Sequence, residues 1–191
     1  MQVYMQKKIA KLLKESIDVK NKLLKSGLKD IEKLASAMLE TLKSGHKILL
    51  FGNGGSASDS MHIAAELVGR FKKERKALPA IALSANVSTL TALGNDYSFE
   101  YLFERQVEAF GNKGDMAIGI STSGSSKNVV AGILKASKIG LKTAALTGNK
   151  IGELSKIADI CIRVPSSNTP RIQESHIAIG HIVCELIEDA F

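Results

Sequence analysis

A histidine and a glutamate stand four residues apart in the segment SDSMHIAAEL, residues 58–67. Residues at this spacing on a helix lie on the same face, so His62 and Glu66 point in the same direction. Apolar residues around them would bury the rest of the helix. An imidazole and a carboxylate that converge in this way can pair with each other, transfer protons or bind a metal ion.

A second polar pair lies in the C-terminal segment RIQESHIAIGH, residues 171–181. Gln173 and His181 are eight residues apart, which is about two helical turns, so they share roughly one face. The remaining histidines, His46 and His176, show no such pairing. We interpret them as ordinary surface or hydrogen-bonded histidines.

Two short loops rich in glycine and hydroxyl residues follow apolar runs. Asn53–Ser58 reads NGGSAS after KILLFG, and Ser121–Ser126 reads STSGSS after DMAIGI. Free backbone N–H groups at a helix start, together with Ser and Thr hydroxyls, bind anions. Neither loop is a Walker A motif or a dinucleotide-binding fingerprint. Two such loops without a dedicated lysine predict a phosphate monoester held by neutral donors.

Short, continuously apolar runs alternate with helical patterns after the first 45 residues, as expected for buried parallel strands. The predicted strands are 47–52, 79–84, 115–120, 142–148 and 158–165. The predicted helices between and after them are 57–73, 88–110, 126–139, 150–157 and 170–190. We therefore expect a doubly wound parallel α/β sandwich over 46–191, preceded by an N-terminal helical region over 1–45. Ligands bind beyond the carboxyl ends of such strands, where both loops lie.

Composition argues against a nucleic-acid-binding protein. The net charge is +7, but residues 1–46 hold ten lysines and five acids and so carry +5 of it. Lysine-rich helices of this kind usually present a solvated face. With six Phe, three Tyr and no Trp, the chain offers few aromatic rings for base stacking. We expect no nucleic-acid partner.

The chain also lacks the patterns of a secreted or membrane protein. Cys161 and Cys184 lie in apolar runs without metal-site spacing, which favours free thiols in a reducing cytoplasm. The N-terminus has no apolar signal-peptide core. The longest uncharged run, residues 77–95, contains a proline and several polar residues. We expect a cytoplasmic protein that does not enter the membrane.

Five segments in combination, GNGGSASDSMHIAAEL, GNDYSFE, ISTSGSSKN, ALTG and RIQESHIAIGH, closely resemble one family. They resemble the sedoheptulose 7-phosphate isomerases, or phosphoheptose isomerases, of the sugar isomerase (SIS) superfamily. The resemblance runs from about Gly45 to the C-terminus. STSGSS alone indicates only a phosphosugar binder, whereas His62 and Glu66 together with Gln173 and His181 form the specific combination.

The resemblance implies the SIS fold, a three-layer, flavodoxin-like, doubly wound parallel sheet with N-terminal helices. It implies an aldose–ketose isomerase that converts D-sedoheptulose 7-phosphate to D-glycero-D-manno-heptose 7-phosphate through an enediol. This reaction begins the route to ADP- or GDP-activated heptoses of lipopolysaccharide or capsule. The resemblance further implies a homotetramer with active sites at subunit contacts, and one zinc ion per subunit.

The resemblance also implies roles for individual residues. The implied catalytic residues are Glu66, which removes the carbon proton, and His181, which exchanges protons with the sugar oxygens. The implied metal ligands are His62, Glu66, Gln173 and His181. The implied substrate-binding residues are Asn53, Gly54, Gly55, Glu66, Asn95, Asp96, Ser121, Thr122, Ser123, Ser126 and Gln173. The sequence leaves open whether Glu66 is a base, a ligand or both, since a metal-bound carboxylate is a weaker base.

One position departs from the family pattern. Some members have an acid immediately before the Arg-Ile-Gln motif, where this chain has Pro170. No role for that acid is carried over to this sequence.

Three alternatives remain open at the level of sequence. The chain could be a non-catalytic SIS-domain protein that senses a phosphosugar or binds a protein partner, such as a replication initiator. It could isomerise another phosphosugar, in which case loop 165–171 would help to set the specificity. Finally, His62 and Glu66 could form a simple ion pair on a packed helix, worth about 0–1 kcal/mol.

Overall fold

A five-stranded parallel sheet organises the chain in this computed structural model, which describes residues 2–191. The strands are β1 Ile48–Gly52, β2 Ala80–Ala82, β3 Met116–Ser121, β4 Lys142–Thr147 and β5 Ile160–Arg163. The helices are α1 Gln2–Ser26, α2 Leu28–Lys43, α3 Gly55–Val68, α4 Val87–Asp96, α5 Leu102–Phe110, α6 Lys127–Lys138, α7 Leu154–Ile157 and α8 Thr169–Glu188. A short 3₁₀ turn, Phe99–Tyr101, precedes α5.

Both faces of the sheet are buried, which explains why its strands are continuously apolar. Successive strand residues point to opposite faces. In β1, Ile48 and Leu50 therefore enter one hydrophobic core, and Leu49 and Phe51 enter the other. All five predicted strands are present, so the doubly wound sandwich predicted from the sequence is confirmed.

Helices form the outer two layers of the sandwich. Ile63 and Leu67 of α3 belong to the core that also contains residues of α2 and α8. Val129 and Ile133 of α6 belong to the core on the opposite face, together with residues of α5. The helices α3 and α6 therefore pack on different faces of the sheet.

The strand order β2-β1-β3-β4-β5 contains a topological switch point between β1 and β3. The chain leaves these adjacent strands toward opposite faces, which opens a crevice at their carboxyl ends. Gly52 pairs with Ile120 at the end of the ladder. Asn53 and Ser121, the first residues of the two predicted ligand loops, therefore lie next to each other at this crevice.

The predicted bounds of two helices after β2 are wrong. The predicted helix 88–110 is broken after Asp96, because the Ser98 hydroxyl accepts the Glu100 N–H and starts a new turn. The predicted helix 150–157 is helical only over Leu154–Ile157.

The predicted helix 57–73 ends five residues early, at Val68, and long-range contacts explain why. The Arg75 guanidinium donates to the carbonyl oxygens of Glu66 and Leu67 at 2.6 and 2.8 Å, and so caps the end of α3. Arg75 also pairs with the buried carboxylate of Glu188 on α8 at 3.4 Å. These contacts fold the segment after Val68 back across the two helices.

The carboxylate of Glu188 accepts three consecutive backbone N–H groups, those of Phe71, Lys72 and Lys73. Burial raises the pKa of Glu188, but the three N–H donors and Arg75 outweigh it and lower the pKa below its usual value. The ends of α3 and α8 are thereby tied together.

The apolar face of α1 is largely uncovered within one chain. Val19 and Leu23 are buried, whereas Ile9, Leu13 and Ile17 are more than half exposed. The helix is attached farther along by Arg171, which donates to the carbonyl oxygen of Leu12 at 2.6 Å. Within residues 2–191, every helix is too short or too polar to cross a bilayer.

Candidate active site

Three side chains converge where α3 crosses α8. His62 Nε2 lies 3.1 Å from Glu66 Oε1 and 3.0 Å from His181 Nε2. The close approach of the two helices depends on Gly180, because a Cβ at this position would lie 2.7 Å from the side chain of Ile63. A helix pair with a larger residue there would separate His181 from His62.

The donor atoms of His62, Glu66 and His181 all lie within 4.8 Å of one another, an arrangement that fits a metal ion. Hydrogen bonds alone satisfy this cluster poorly. Each imidazole Nε2 carries either one proton or one lone pair. If His62 Nε2–H donates to Glu66, that proton is not available to His181 Nε2. If His181 Nε2–H donates to the lone pair of His62 Nε2, the same lone pair also faces the Glu66 oxygen. Imidazole nitrogens and a carboxylate are all zinc ligands at about 2.0–2.2 Å.

The cluster is accessible from one side and packed on the other. The side chains of His62 and Glu66 are 47% and 24% exposed, so a ligand can reach both. The Phe71 ring lies 5.5 Å from the His181 ring and covers it. Phe71 belongs to the segment that Glu188 holds, so the fold-back after α3 also supports the cluster.

Asp59 lies one turn before His62 on the same helix. Its Oδ2 is buried without a hydrogen-bond partner. Burial raises the pKa of Asp59 to about 6, and the nearby His62 partly opposes the rise. Asp59 is not among the site residues predicted from the sequence, although its spacing from His62 places both on one helical face.

The loop after β3 brings together three serine hydroxyls. Ser121 Oγ lies 2.9 Å from Ser126 Oγ and 3.3 Å from Ser123 Oγ. Gly124 has a φ of +70°, a backbone conformation that favours glycine and turns the loop into α6. The hydroxyls thus cluster at a helix N-terminus, an arrangement suited to an anion.

The loop after β1 is shaped by its glycines. Gly54 has a φ of +55° immediately before α3. The amide of Gln173 lies against Gly55, since a Cβ there would be 2.4 Å from Gln173 Nε2. Gln173 thus contacts the start of α3, and its role as a metal ligand beside His62 stays a prediction.

Thr122 and Ser123 line a cavity of about 140 Å³ between the β3 loop and the loop before α8. The opposite wall includes Ser166, Ser167 and Thr169. The segment 165–171, which is expected to help set the specificity, therefore adjoins the hydroxyl-rich loop.

Asn95 and Asp96 lie apart from this group at the exposed end of α4. Asn95 Nδ2 donates to Asp96 Oδ1 at 2.8 Å. None of the residues of α4 is buried. Within residues 2–191, no hydrogen bond connects this pair to His62, Glu66 or His181, so its substrate-binding role stays a prediction.

Comparison with known proteins identifies the family. A SIS domain matches residues 11–148. The chain is 54% identical to the phosphoheptose isomerase of Aquifex aeolicus over 97% of both chains. The chain belongs to the phosphoheptose isomerase family. This conclusion confirms the resemblance found in the sequence motifs.

Solved structures of the phosphoheptose isomerase family share this fold over nearly the whole chain. The phosphoheptose isomerase from Neisseria gonorrhoeae is 39% identical with a TM-score of 0.92, and covers 97% of this chain and 99% of its own. The phosphoheptose isomerase from Francisella tularensis is 38% identical with a TM-score of 0.93. Its match covers 97% of this chain and 98% of its own. The SIS fold expected from the resemblance is confirmed.

His176 anchors α8 of this phosphoheptose isomerase family member beneath the ligand loops. Its fully buried ring places Nε2 3.2 Å from the carbonyl oxygen of Thr147, at the end of β4, while Nδ1 has no hydrogen-bond partner. Burial lowers the pKa of His176 to about 4, although the hydrogen bond with Thr147 opposes the shift. The neutral ring therefore donates through Nε2, as expected for a structural histidine.

The burial of His176 predicts that its contribution to the free energy of unfolding decreases in mild acid. The unfolded chain binds a proton at His176 below its usual pKa of 6.5, and the folded chain does so only near 4. The stability that His176 contributes therefore falls between these pH values, by about 2 kcal/mol from pH 7.5 to pH 5, while Asp59, whose pKa is raised, offsets part of this fall. Denaturant unfolding at fixed protein concentration would measure the change. His176→Gln, which keeps an N–H donor, should reduce the pH dependence, and an equal dependence in both proteins would contradict the assignment.

Proposed function

We propose that this chain interconverts D-sedoheptulose 7-phosphate and D-glycero-D-manno-heptose 7-phosphate. The observation that carries the proposal is the convergence of His62, Glu66 and His181 in a member of the phosphoheptose isomerase family. A phosphosugar sensor or a partner-binding protein of this fold could keep the phosphate loop without this acid–base cluster. The reaction would begin the synthesis of activated heptoses for lipopolysaccharide or capsule.

Glu66 is the proposed base of the isomerisation. Its carboxylate takes a proton from C1 of the ketose to form the enediol and returns a proton to C2 of the aldose. Oε1 is the oxygen that faces His62, which leaves Oε2 for the substrate. The Glu66 carboxylate can thus contact His62 through Oε1 and transfer the proton through Oε2.

His181 is the proposed acid–base group at the sugar oxygens. The ring moves a proton from O1 to O2 as the double bond shifts between carbons, through the ring nitrogen that does not bind the metal. Packing of Phe71 against the ring holds its orientation.

The proposed metal is one zinc ion per subunit, held by His62, Glu66 and His181 with Gln173 as the fourth ligand. A bound zinc supplies a Lewis acid that polarises the sugar carbonyl. The fit of the three clustered donors supports this assignment. The amide of Gln173 is a weak zinc ligand, and in this structure it lies against Gly55.

The phosphate is proposed to bind at Ser121, Thr122, Ser123 and Ser126, with the sugar extending past Asn53, Gly54 and Gly55. The clustered hydroxyls and the N-terminus of α6 support this placement. Asn95 and Asp96 are proposed to contact the sugar from α4.

We also propose a homotetramer with active sites at subunit contacts. The uncovered apolar face of α1 supports this assembly, since exposed apolar stripes commonly mark interfaces. The exposed helix α4 and the neighbouring rings of Tyr97 and Phe99 are a second uncovered surface. A partner subunit at that surface would bring Asn95 and Asp96 into a closed site.

Glu66→Gln should lower kcat by roughly 10²–10⁴-fold while sedoheptulose 7-phosphate still binds, because the change removes the base and keeps the side-chain shape. Steady-state kinetics and calorimetry would measure the two effects. Glu74→Gln, which alters an exposed carboxylate outside the site, is the matched control. Turnover at the wild-type rate in Glu66→Gln would exclude the role in proton transfer.

The double variant Ser123→Ala/Ser126→Ala should raise KM about tenfold or more with little change in kcat, because it removes hydrogen bonds to a charged group that does not react. Initial rates over a range of substrate concentrations would separate the two constants. Ser125→Ala, in the same loop but outside the hydroxyl cluster, should behave like the wild type. An unchanged KM in the double variant would show that the phosphate binds elsewhere.

A further inference from the structure

Two hydrogen bonds join the ligand loops directly across the switch point. Asn53 Nδ2 donates to Asn128 Oδ1 at 2.8 Å, and Asn128 Nδ2 donates to Asn53 Oδ1 at 2.9 Å. Asn128 is only 3% exposed. Because each amide both donates and accepts, the pair fixes a distance and an orientation together. We call Asn53 and Asn128 the amide latch.

The amide latch connects two helix starts that pack on opposite faces of the sheet. Asn53 immediately precedes Gly54 and the start of α3, the helix that carries His62 and Glu66. Asn128 is the second residue of α6 and follows the serine cluster at its N-terminus. The latch therefore lies between the proposed phosphate site and the helix that carries the proposed base.

The side chain of Asn53 is largely committed to this contact. An amide has two N–H donors and one carbonyl oxygen, and the latch uses one donor and the oxygen of Asn53. Its other N–H is then held in a single direction by Asn128. Asn53 was expected to bind substrate, whereas nothing in the sequence distinguished Asn128.

We propose that Asn128 is a positioning residue of the isomerase site and that the Asn53 side chain acts mainly through the latch. For its effect on turnover, this inference rests on the proposed isomerisation. When the phosphate is held at the serines, the latch sets where C1 and C2 lie relative to Glu66. Small misplacements of reacting atoms lower kcat strongly, while binding of the distant phosphate persists.

A double-mutant cycle tests the kinetic consequence. Asn128→Ala and Asn53→Ala should each lower kcat by about tenfold or more. Asn128→Ala should change the Kd of inorganic phosphate by less than about threefold, since the serine hydroxyls remain. The double variant should be no slower than either single variant, because each removes the same interaction. Effects that multiply, or a folded Asn128→Ala enzyme with wild-type kcat, would overturn the proposal.

Gln106→Ala is the matched control. Gln106 is also 3% exposed, and its amide donates within α5 to the carbonyl oxygen of Leu102, away from both loops. Its removal deletes a buried amide of similar kind and should leave kcat unchanged. A general loss of stability would affect Gln106→Ala and Asn128→Ala alike.

Hydrogen–deuterium exchange of the ligand-free protein provides a readout that does not depend on turnover. Asn128→Ala should accelerate exchange of the backbone amides of residues 53–58, and Gln106→Ala should not. Unchanged exchange in this segment would overturn the latch. If the wild-type protein fails to turn over sedoheptulose 7-phosphate, the proposed function fails, and the exchange result alone decides whether Asn128 positions the loop.

Discussion

The site depends on a single topological constraint: β1 and β3 are neighbours, yet the helices that follow them pack on opposite faces of the sheet. Their connecting loops must separate at the carboxyl edge, and backbone N–H groups at two helix starts are left around one crevice. Glycine at position 54 and serines at 121, 123 and 126 suit this geometry, because they allow tight turns and supply neutral donors. The proposed phosphate site thus follows from the winding of the chain as much as from any one side chain.

The cluster of His62, Glu66 and His181 depends on a second crossing, between α3 and α8. Gly180 permits the close approach, and the Arg75–Glu188 ion pair ties the C-terminal ends of the helices together. Glu188 and Arg75 are each paired and hydrogen-bonded, as buried charges must be. Their contacts bring Phe71 over His181 and cap the turn that carries Glu66. The Arg75–Glu188 ion pair and the proposed catalytic cluster are therefore parts of one packed unit.

Local patterns predicted much of this arrangement. Continuous apolar runs indicated all five strands, and the four-residue spacing of His62 and Glu66 indicated their shared face. The early end of α3 was missed, because Glu188 lies more than a hundred residues from the segment it holds. Asn128 was missed because its partner Asn53 lies 75 residues away and because an asparagine near a helix start has many ordinary uses. The contact of Gln173 with Gly55 likewise depends on the packing of α8 against the β1 loop, which spacing along one helix does not specify.

The most direct test of the account is to follow sedoheptulose 7-phosphate by NMR in deuterated buffer with the purified protein, with and without added zinc. Proton transfer through an enediol predicts formation of the aldose with deuterium at C2, because the base exchanges its proton with solvent before returning it. A chelator should suppress this conversion if zinc is the Lewis acid. Saturable binding of the sugar phosphate without conversion under any of these conditions would contradict the account and indicate a phosphosugar sensor.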